Sequence, residues 1–141
     1  MRYYLDTNIL AFLVMCEEGL SPDTAAVLSD YDSILLTSPV CVHELLHIIQ
    51  IGKLRRRRRE DLHRAAEEAY LALGRIGVRV VPLSDYHFIE YARLPILGDH
   101  RDPFDRLIIA QAIADRIPLV SSDRKFAMYS SFGLDFILNE R

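Results

Sequence analysis

Four acids in this sequence stand where the local pattern favours apolar side chains, and acids placed in that way suggest cation chemistry. Asp6 follows directly on Arg2, Tyr3, Tyr4 and Leu5, residues that suit a short strand. The carboxyl end of such a strand faces the crevice where open α/β sheets bind ligands, although an acid there also caps a following helix. Glu44 shares its helical face with Val40, Cys41, Ile48 and Ile51, while Val42, Leu46 and Ile49 cover the opposite one. A helix apolar nearly all round is expected to be buried, where an unpaired carboxylate is expensive. A salt bridge or an exposed helix start is the plainer explanation. Asp102 and Asp105 fall at the N-cap and third helical position of a segment opened by Pro103. Both suit the positive end of the helix dipole, yet Asp105 also lies on the face of Ile109 and Ala112, which is expected to turn toward a sheet. Asp123 follows Leu119 to Ser122 as Asp6 follows the first strand, with a surface-loop aspartate as the alternative.

Parallel strands would bring Asp6 and Asp123 to one sheet edge, where Glu44 and Asp105 are expected to join them. Two carboxylates about 4 Å apart repel by roughly 4 kcal/mol at an effective dielectric of 20, and four acids make about six such pairs. A cluster of this kind persists only when protonated or neutralised by a cation. Oxygen donors select hard ions, so Mg2+, or alternatively Mn2+, is favoured over zinc. No histidine or cysteine falls at a zinc spacing, since His43 and His47 stand four apart but lack the HExxH sequence.

The elements that must position these acids are legible in caps and periodicity. Strands are predicted at 2–5, 33–37, 78–83, 118–121 and 134–138. Helices are predicted at 7–17, 22–30, 39–53, from about 60 to 74–77, at 85–94 and 103–117, with a short one near Lys125. Ser21-Pro22 and Ser38-Pro39 each pair an N-cap with a proline at the first helical position. The alternation of strands and helices predicts a three-layer α/β/α sandwich with a mostly parallel central sheet. With 141 residues, no internal repeat and no linker-like segment, residues 1–141 are expected to form a single domain. Composition, at 50% hydrophobic and 26% charged, is that of a globular chain and excludes a disordered one. No apolar run approaches the ~18–20 residues that span a bilayer, and Asp6 spoils the start as a signal peptide. Cys16 and Cys41 cannot build a disulfide framework, so a reducing cytoplasm is the expected compartment.

Four segments carry a family resemblance. Leu-Asp-Thr-Asn-Ile-Leu at 5–10, Val-His-Glu-Leu-Leu at 42–46, Asp-Pro-Phe-Asp-Arg-Leu-Ile-Ile-Ala-Gln-Ala at 102–112 and Leu-Val-Ser-Ser-Asp at 119–123 resemble PIN-domain nucleases, most closely the VapC-type toxins of bacterial and archaeal toxin–antitoxin pairs. The likeness covers nearly the whole chain, and Asp-Pro-Phe-Asp-Arg is its most specific part. It implies an acidic site at Asp6, Glu44, Asp105 and Asp123, with Asn8 as a nearby polar side chain. Ser121 stands where many relatives have threonine, and the hydroxyl is retained. The implied reaction is hydrolysis of an RNA phosphodiester with Mg2+ or Mn2+. In it Asp6, Glu44 and Asp105 serve the metal sphere, and Asp123 completes a second, weaker position or orients the nucleophile. Asn8 is expected to hold Asp6 or a water near the ion, and Asp102 to cap the helix that carries Asp105. A cognate antitoxin and a homodimer are implied by the same likeness. One rival is a HAD-like phosphatase, which carries a second acid two residues after its nucleophile; here that place is Asn8, and Lys53 and Lys125 are the only lysines. The other is a catalytically inactive PIN-like RNA- or protein-binding module, against which the complete acid set argues.

Net charge is −3, but Lys53 to Arg64 contains seven basic residues against two acids, leaving −8 on the rest of the chain. Arg101, Arg106, Arg124 and Lys125 flank the acids and are expected to hold phosphates beside them. Arg55, Arg56, Arg57, Arg58 and Arg59 form either a solvated turn between helices or an outer contact with RNA or with an acidic segment of the antitoxin. For an RNA contact, replacing three of these five arginines by Gln lowers the slope of log affinity against log salt by about 2, at about 0.7 per phosphate contact. The rate at saturating RNA then stays nearly intact. Binding titrations from low to moderate salt check this, and an unchanged slope returns the run to a turn or an antitoxin contact.

Overall fold

The computed structural model describes residues 1–15, 18–54 and 61–140. The Arg55–Arg59 run, Cys16 and the expected end of the first helix at Glu17 lie outside the described residues. Five strands, β1 (Arg2–Leu5), β2 (Ile34–Thr37), β3 (Arg79–Val80), β4 (Leu119–Ser121) and β5 (Phe136–Leu138), form one sheet in the order β3-β2-β1-β4-β5. Every pairing is parallel, with Tyr3 opposite Leu35 and Leu5 opposite Val120. The flanking helices are α1 (Thr7–Met15), α2 (Pro22–Ser29), α3 (Pro39–Gln50), α4 (Leu62–Ile76), α5 (Asp85–Arg93) and α6 (Pro103–Asp115), followed by a 3-10 helix at Arg124–Phe132. The result is the expected α/β/α sandwich. Among the described residues, no helix is long and apolar enough to cross a membrane.

Local chemistry accounts for the boundaries. Ser21, Asp61 and Asp102 each accept hydrogen bonds from the free N–H groups of the helix they precede, and proline follows directly in α2, α3 and α6. Gly77 closes α4 in the left-handed region at φ 97°, where its amide reaches the Leu73 carbonyl. The short helix expected near Lys125 is present as a nine-residue 3-10 helix. Two expectations need correction. The third strand is two residues long rather than spanning 78–83, because its partner β2 ends at Thr37, whose carbonyl accepts the Val81 amide before the chain turns at Ser38 into α3. Helix α3 is not buried all round: His43, His47 and Gln50 are exposed along one stripe, Ile51 is exposed beyond its end, and Glu44 borders the stripe half-buried. Only the side of α3 that meets α1, α4 and α6 leaves water.

The core joins β1 and β4 to α1, α3 and α6 through Leu5, Leu119, Ile9, Leu45, Ile108 and Ile109, all at 1% exposure or less. Ile109 lies one helical turn after Asp105, so the contact that seats α6 on the sheet also places that acid. Ile109→Ala is expected to cost about 2–5 kcal/mol, the cost of removing a fully buried aliphatic side chain. The shift in denaturant midpoint measures it.

Candidate active site

The chain winds outward from β1 through β2 to β3, then returns to place β4 on the other side of β1. That reversal opens a crevice beyond the carboxyl ends of β1 and β4, the place where open α/β sheets bind ligands. Asp6 leaves β1 there, and Ser121, Ser122 and Asp123 lie at or just beyond the end of β4. A cavity of about 290 Å³ occupies the crevice, lined by Asp6, Thr7, Asn8, Glu44, Ile48, Asp102, Asp105 and Asp123.

Asp6 is 5% exposed, and both of its carboxylate oxygens accept hydrogen bonds. Oδ1 accepts the Thr7 amide at 2.8 Å, and Oδ2 accepts the Ser121 hydroxyl at 2.7 Å and the Asn8 side-chain amide at 3.4 Å. Ser121 Oγ in turn accepts the backbone amide of Asp123 at 3.1 Å. Asn8 ties the two loops together, because its Oδ1 accepts the Ser122 amide at 3.2 Å. Glu44 is drawn to the same place by the Thr7 hydroxyl, which donates to Oε2 at 3.2 Å. Asp123 caps the 3-10 helix by accepting the Lys125 amide at 2.9 Å. Asp102, exposed, accepts from the amides of Phe104 and Asp105 at 2.9 and 3.3 Å. It is the cap of α6, and it also lines the rim of the cavity.

Burial and like charge hold two of these acids on their protons. Desolvation pushes the Asp6 carboxyl up to about 6, aided by Glu44 and Asp123 and opposed by the bonds from Ser121 and Thr7. Asp105 is pushed up to about 7, first by desolvation and then by the negative charges of Asp6, Asp102, Asp123 and Glu44. Carboxylates that ionise reluctantly and share one cavity fit a divalent cation, which replaces the protons.

His100 belongs to this site too. The sequence offered little sign of it, since one isolated histidine has no ligand spacing; its only mark was that it stands two residues before Asp102. It is 6% exposed, and its Nε2 lies 3.4 Å from Asp105 Oδ2. Ligand atoms of His100, Asp105 and Asp123 all lie within 4.8 Å of one another. Asp6 and Glu44 line the cavity outside that trio.

The basic residues divide. Arg101 and Lys125 are exposed near the acids, and Arg124 is exposed and paired with Glu140 at 3.2 Å. Arg106, expected as a phosphate contact, is instead 7% exposed: its guanidinium donates to the Leu94 carbonyl at 2.6 Å and lies over the Tyr91 ring. It fastens α6 to the segment after α5. A larger cavity of about 460 Å³ lies elsewhere against β1, β2 and α5, and Asp115 is the only carboxylate in its lining. That carboxylate is already taken by the hydroxyls of Tyr4 and Tyr86 and by His87.

A family model described as PIN domain matches residues 3–130. No curated protein sequence matches the chain. Similar solved structures include VapBC2 from Rickettsia felis bound to a promoter DNA fragment, with TM-score 0.69, 18% identity and coverage of 99% of this chain and 100% of that one. They also include a toxin–antitoxin complex from Klebsiella pneumoniae, with TM-score 0.67, 14% identity and coverage of 99% and 98%. A third is VapBC-5 from Mycobacterium tuberculosis, with TM-score 0.65, 19% identity and coverage of 99% and 98%. At these identities the structural likeness is one of fold.

The raised acids set a pH dependence. Between the ordinary carboxylate value of 3.8 and about 7, the folded protein holds protons that the unfolded chain releases. Stability contributed by Asp6 and Asp105 is therefore complete below that window and falls as pH rises through it. His100, whose protonation burial disfavours, acts in the opposite sense. In chelator, the stability of wild type relative to Asp105→Asn is expected to decline from about pH 4 to about pH 7 and then level off. Urea titrations across that range measure it, and a flat difference curve would contradict the electrostatic account.

Proposed function

The chain belongs to the PIN domain family, and on that premise we propose that it is a divalent-cation-dependent endoribonuclease, the toxin of a toxin–antitoxin pair. The observation that carries the proposal is the convergence of Asp6, Glu44, Asp105 and Asp123 on one cavity at the reversal of strand order. A divalent cation, Mg2+ or Mn2+, would supply charge neutralisation and water activation for attack on a phosphodiester. Asp6, Glu44 and Asp105 would hold it, and Asp123 would support a second, weaker position or orient the nucleophile. Asn8 and Ser121 position Asp6, and Asp102 shapes the rim while capping α6. Arg101, Arg124 and Lys125 are exposed and stand close to Asp102 and Asp123 in the chain, positions suited to RNA phosphates. Asn8 serves as a bridge between loops, which gives a phosphatase reading no second acid beside Asp6.

The partner proposal is supported by the neighbouring folds, which are toxin–antitoxin complexes. An acidic cavity invites a basic side chain, so the antitoxin would place an Arg or Lys near Asp6 and Asp105, in competition with the cation. The protein would work in the cytoplasm, as a homodimer, on RNA.

One set of variants tests this reading. Mg2+ or Mn2+ in millimolar excess is expected to raise the Tm and support cleavage of labelled single-stranded RNA, while Asp6→Asn loses cleavage and most of the Tm gain. Asp105→Ala relieves carboxylate repulsion, so it stays folded and loses activity. Asp102→Ala costs about 0.5–2 kcal/mol as a lost cap and keeps measurable cleavage. Cation-independent Tm values in wild type, or an active Asp6→Asn, would overturn the assignment.

A further inference from the structure

We propose that His100 is a nitrogen ligand of the acidic site, and that through it the site prefers Mn2+ to Mg2+. The inference rests on the reading of the cavity as a metal site and adds to it a donor of a different kind.

The imidazole is held from every side except one. Gly98, at φ 54°, turns the chain so that the His100 amide donates to the Leu97 carbonyl at 3.0 Å. The rings of Phe126 and Tyr129 pack edge-on against His100 at 5.9 and 5.3 Å between centroids. The Tyr129 hydroxyl sits 2.6 Å from Nδ1. Both aromatic residues belong to the 3-10 helix that Asp123 caps, so one element orients the imidazole and Asp123 together.

The remaining nitrogen is the informative atom. The His100 side chain is 4% exposed, and Nε2 has no hydrogen-bond partner among the described residues. It lies 3.4 Å from Asp105 Oδ2, in direct reach, but without the alignment of a hydrogen bond. Buried polar atoms are seldom left in this state. A histidine that binds a metal through one ring nitrogen characteristically donates the other N–H to an oxygen, which fixes the tautomer. Tyr129 offers such an oxygen at Nδ1, and in the tautomer that carries its proton there the Nε2 lone pair faces the carboxylates. An octahedron with bonds of ~2.1 Å has edges of about 3.0 Å and diagonals of about 4.2 Å. The 3.4 Å from Nε2 to Asp105 Oδ2 falls between that edge and that diagonal, and the 4.8 Å limit on His100, Asp105 and Asp123 lies a little above the diagonal. Imidazole nitrogen suits transition ions, whereas Mg2+ takes oxygen donors and parts reluctantly with water. One nitrogen among carboxylates therefore tilts the site away from Mg2+ toward a first-row transition ion, of which Mn2+ is the one that carboxylate donors also suit.

The test uses Mn2+ and Mg2+ alone, without RNA. Pulsed electron paramagnetic resonance of Mn2+ bound to wild type is expected to show nitrogen coupling from a coordinated imidazole, which disappears in His100→Ala. Calorimetric titration is expected to show Mn2+ affinity weakened about 10–100-fold in His100→Ala and about 10-fold in Tyr129→Phe, with Mg2+ affinity changed less than about 3-fold. Asp105→Asn loses both ions. The wild-type spectrum needs no variant, so a folding defect cannot hide the answer. Absence of nitrogen coupling, or coupling that survives His100→Ala, overturns the proposal; if Asp105→Asn still abolishes binding, the acidic metal site stands without His100. Equal binding of both ions by wild type and Asp105→Asn would overturn the metal site itself.

Discussion

The carboxylate of Asp6 is buried at the end of a central strand, and much of the surrounding structure serves to make that tolerable. Stripping water from an ionised carboxylate is costly unless its oxygens find donors. Thr7, Ser121 and Asn8 provide them, and each comes from one of the two segments that the reversal of strand order brings together. The Ser121 hydroxyl is shared, giving its proton to Asp6 while accepting the Asp123 amide. Position of the first acid and position of the last are therefore set by one hydrogen-bond chain. Thr7 extends it to Glu44 on α3.

What those bonds do not cancel is the mutual repulsion of the acids. Asp105 feels every other carboxylate of the cavity, and its proton is held to about 7. On the function proposed above, a cation would take the place of that proton. The packing beneath the cavity stands against that repulsion: Ile109, Leu45 and Ile9 are 0% exposed and seat α6, α3 and α1, the helices that carry or follow the acids, in the core.

Positive charge near the site serves two purposes. Arg106 follows Asp105 directly, but its guanidinium turns inward to the Leu94 carbonyl and the Tyr91 ring. Arginine suits this work because its flat, weakly hydrated head stacks on aromatic rings and donates in a fixed fork. Arg101 and Lys125 remain exposed on the loop before α6 and at the start of the 3-10 helix. Arg106 turns inward because it lies on the side of α6 that meets α5, whereas Arg101 and Lys125 lie outside that helix.

Strands, helix starts and the family were legible in the sequence because they depend on local signals. Ser-Pro and Asp-Pro pairs mark caps, alternating element types dictate a parallel sheet, and short acidic motifs survive as text. The acids themselves could be picked out because each breaks a local pattern in a strand end or helix face. Periodicity overstates the burial of α3, since it reports where apolar groups lie but not which neighbour covers them. Adjacency to Asp105 in the chain likewise says nothing of which way the long side chain of Arg106 turns. His100 carried no periodic or spacing signal whatever. Its place at the site comes from a turn at Gly98 and two aromatic residues of the 3-10 helix, more than twenty-five positions away in the chain. Its position is decided by contacts between distant segments, and only the folded chain brings those segments together.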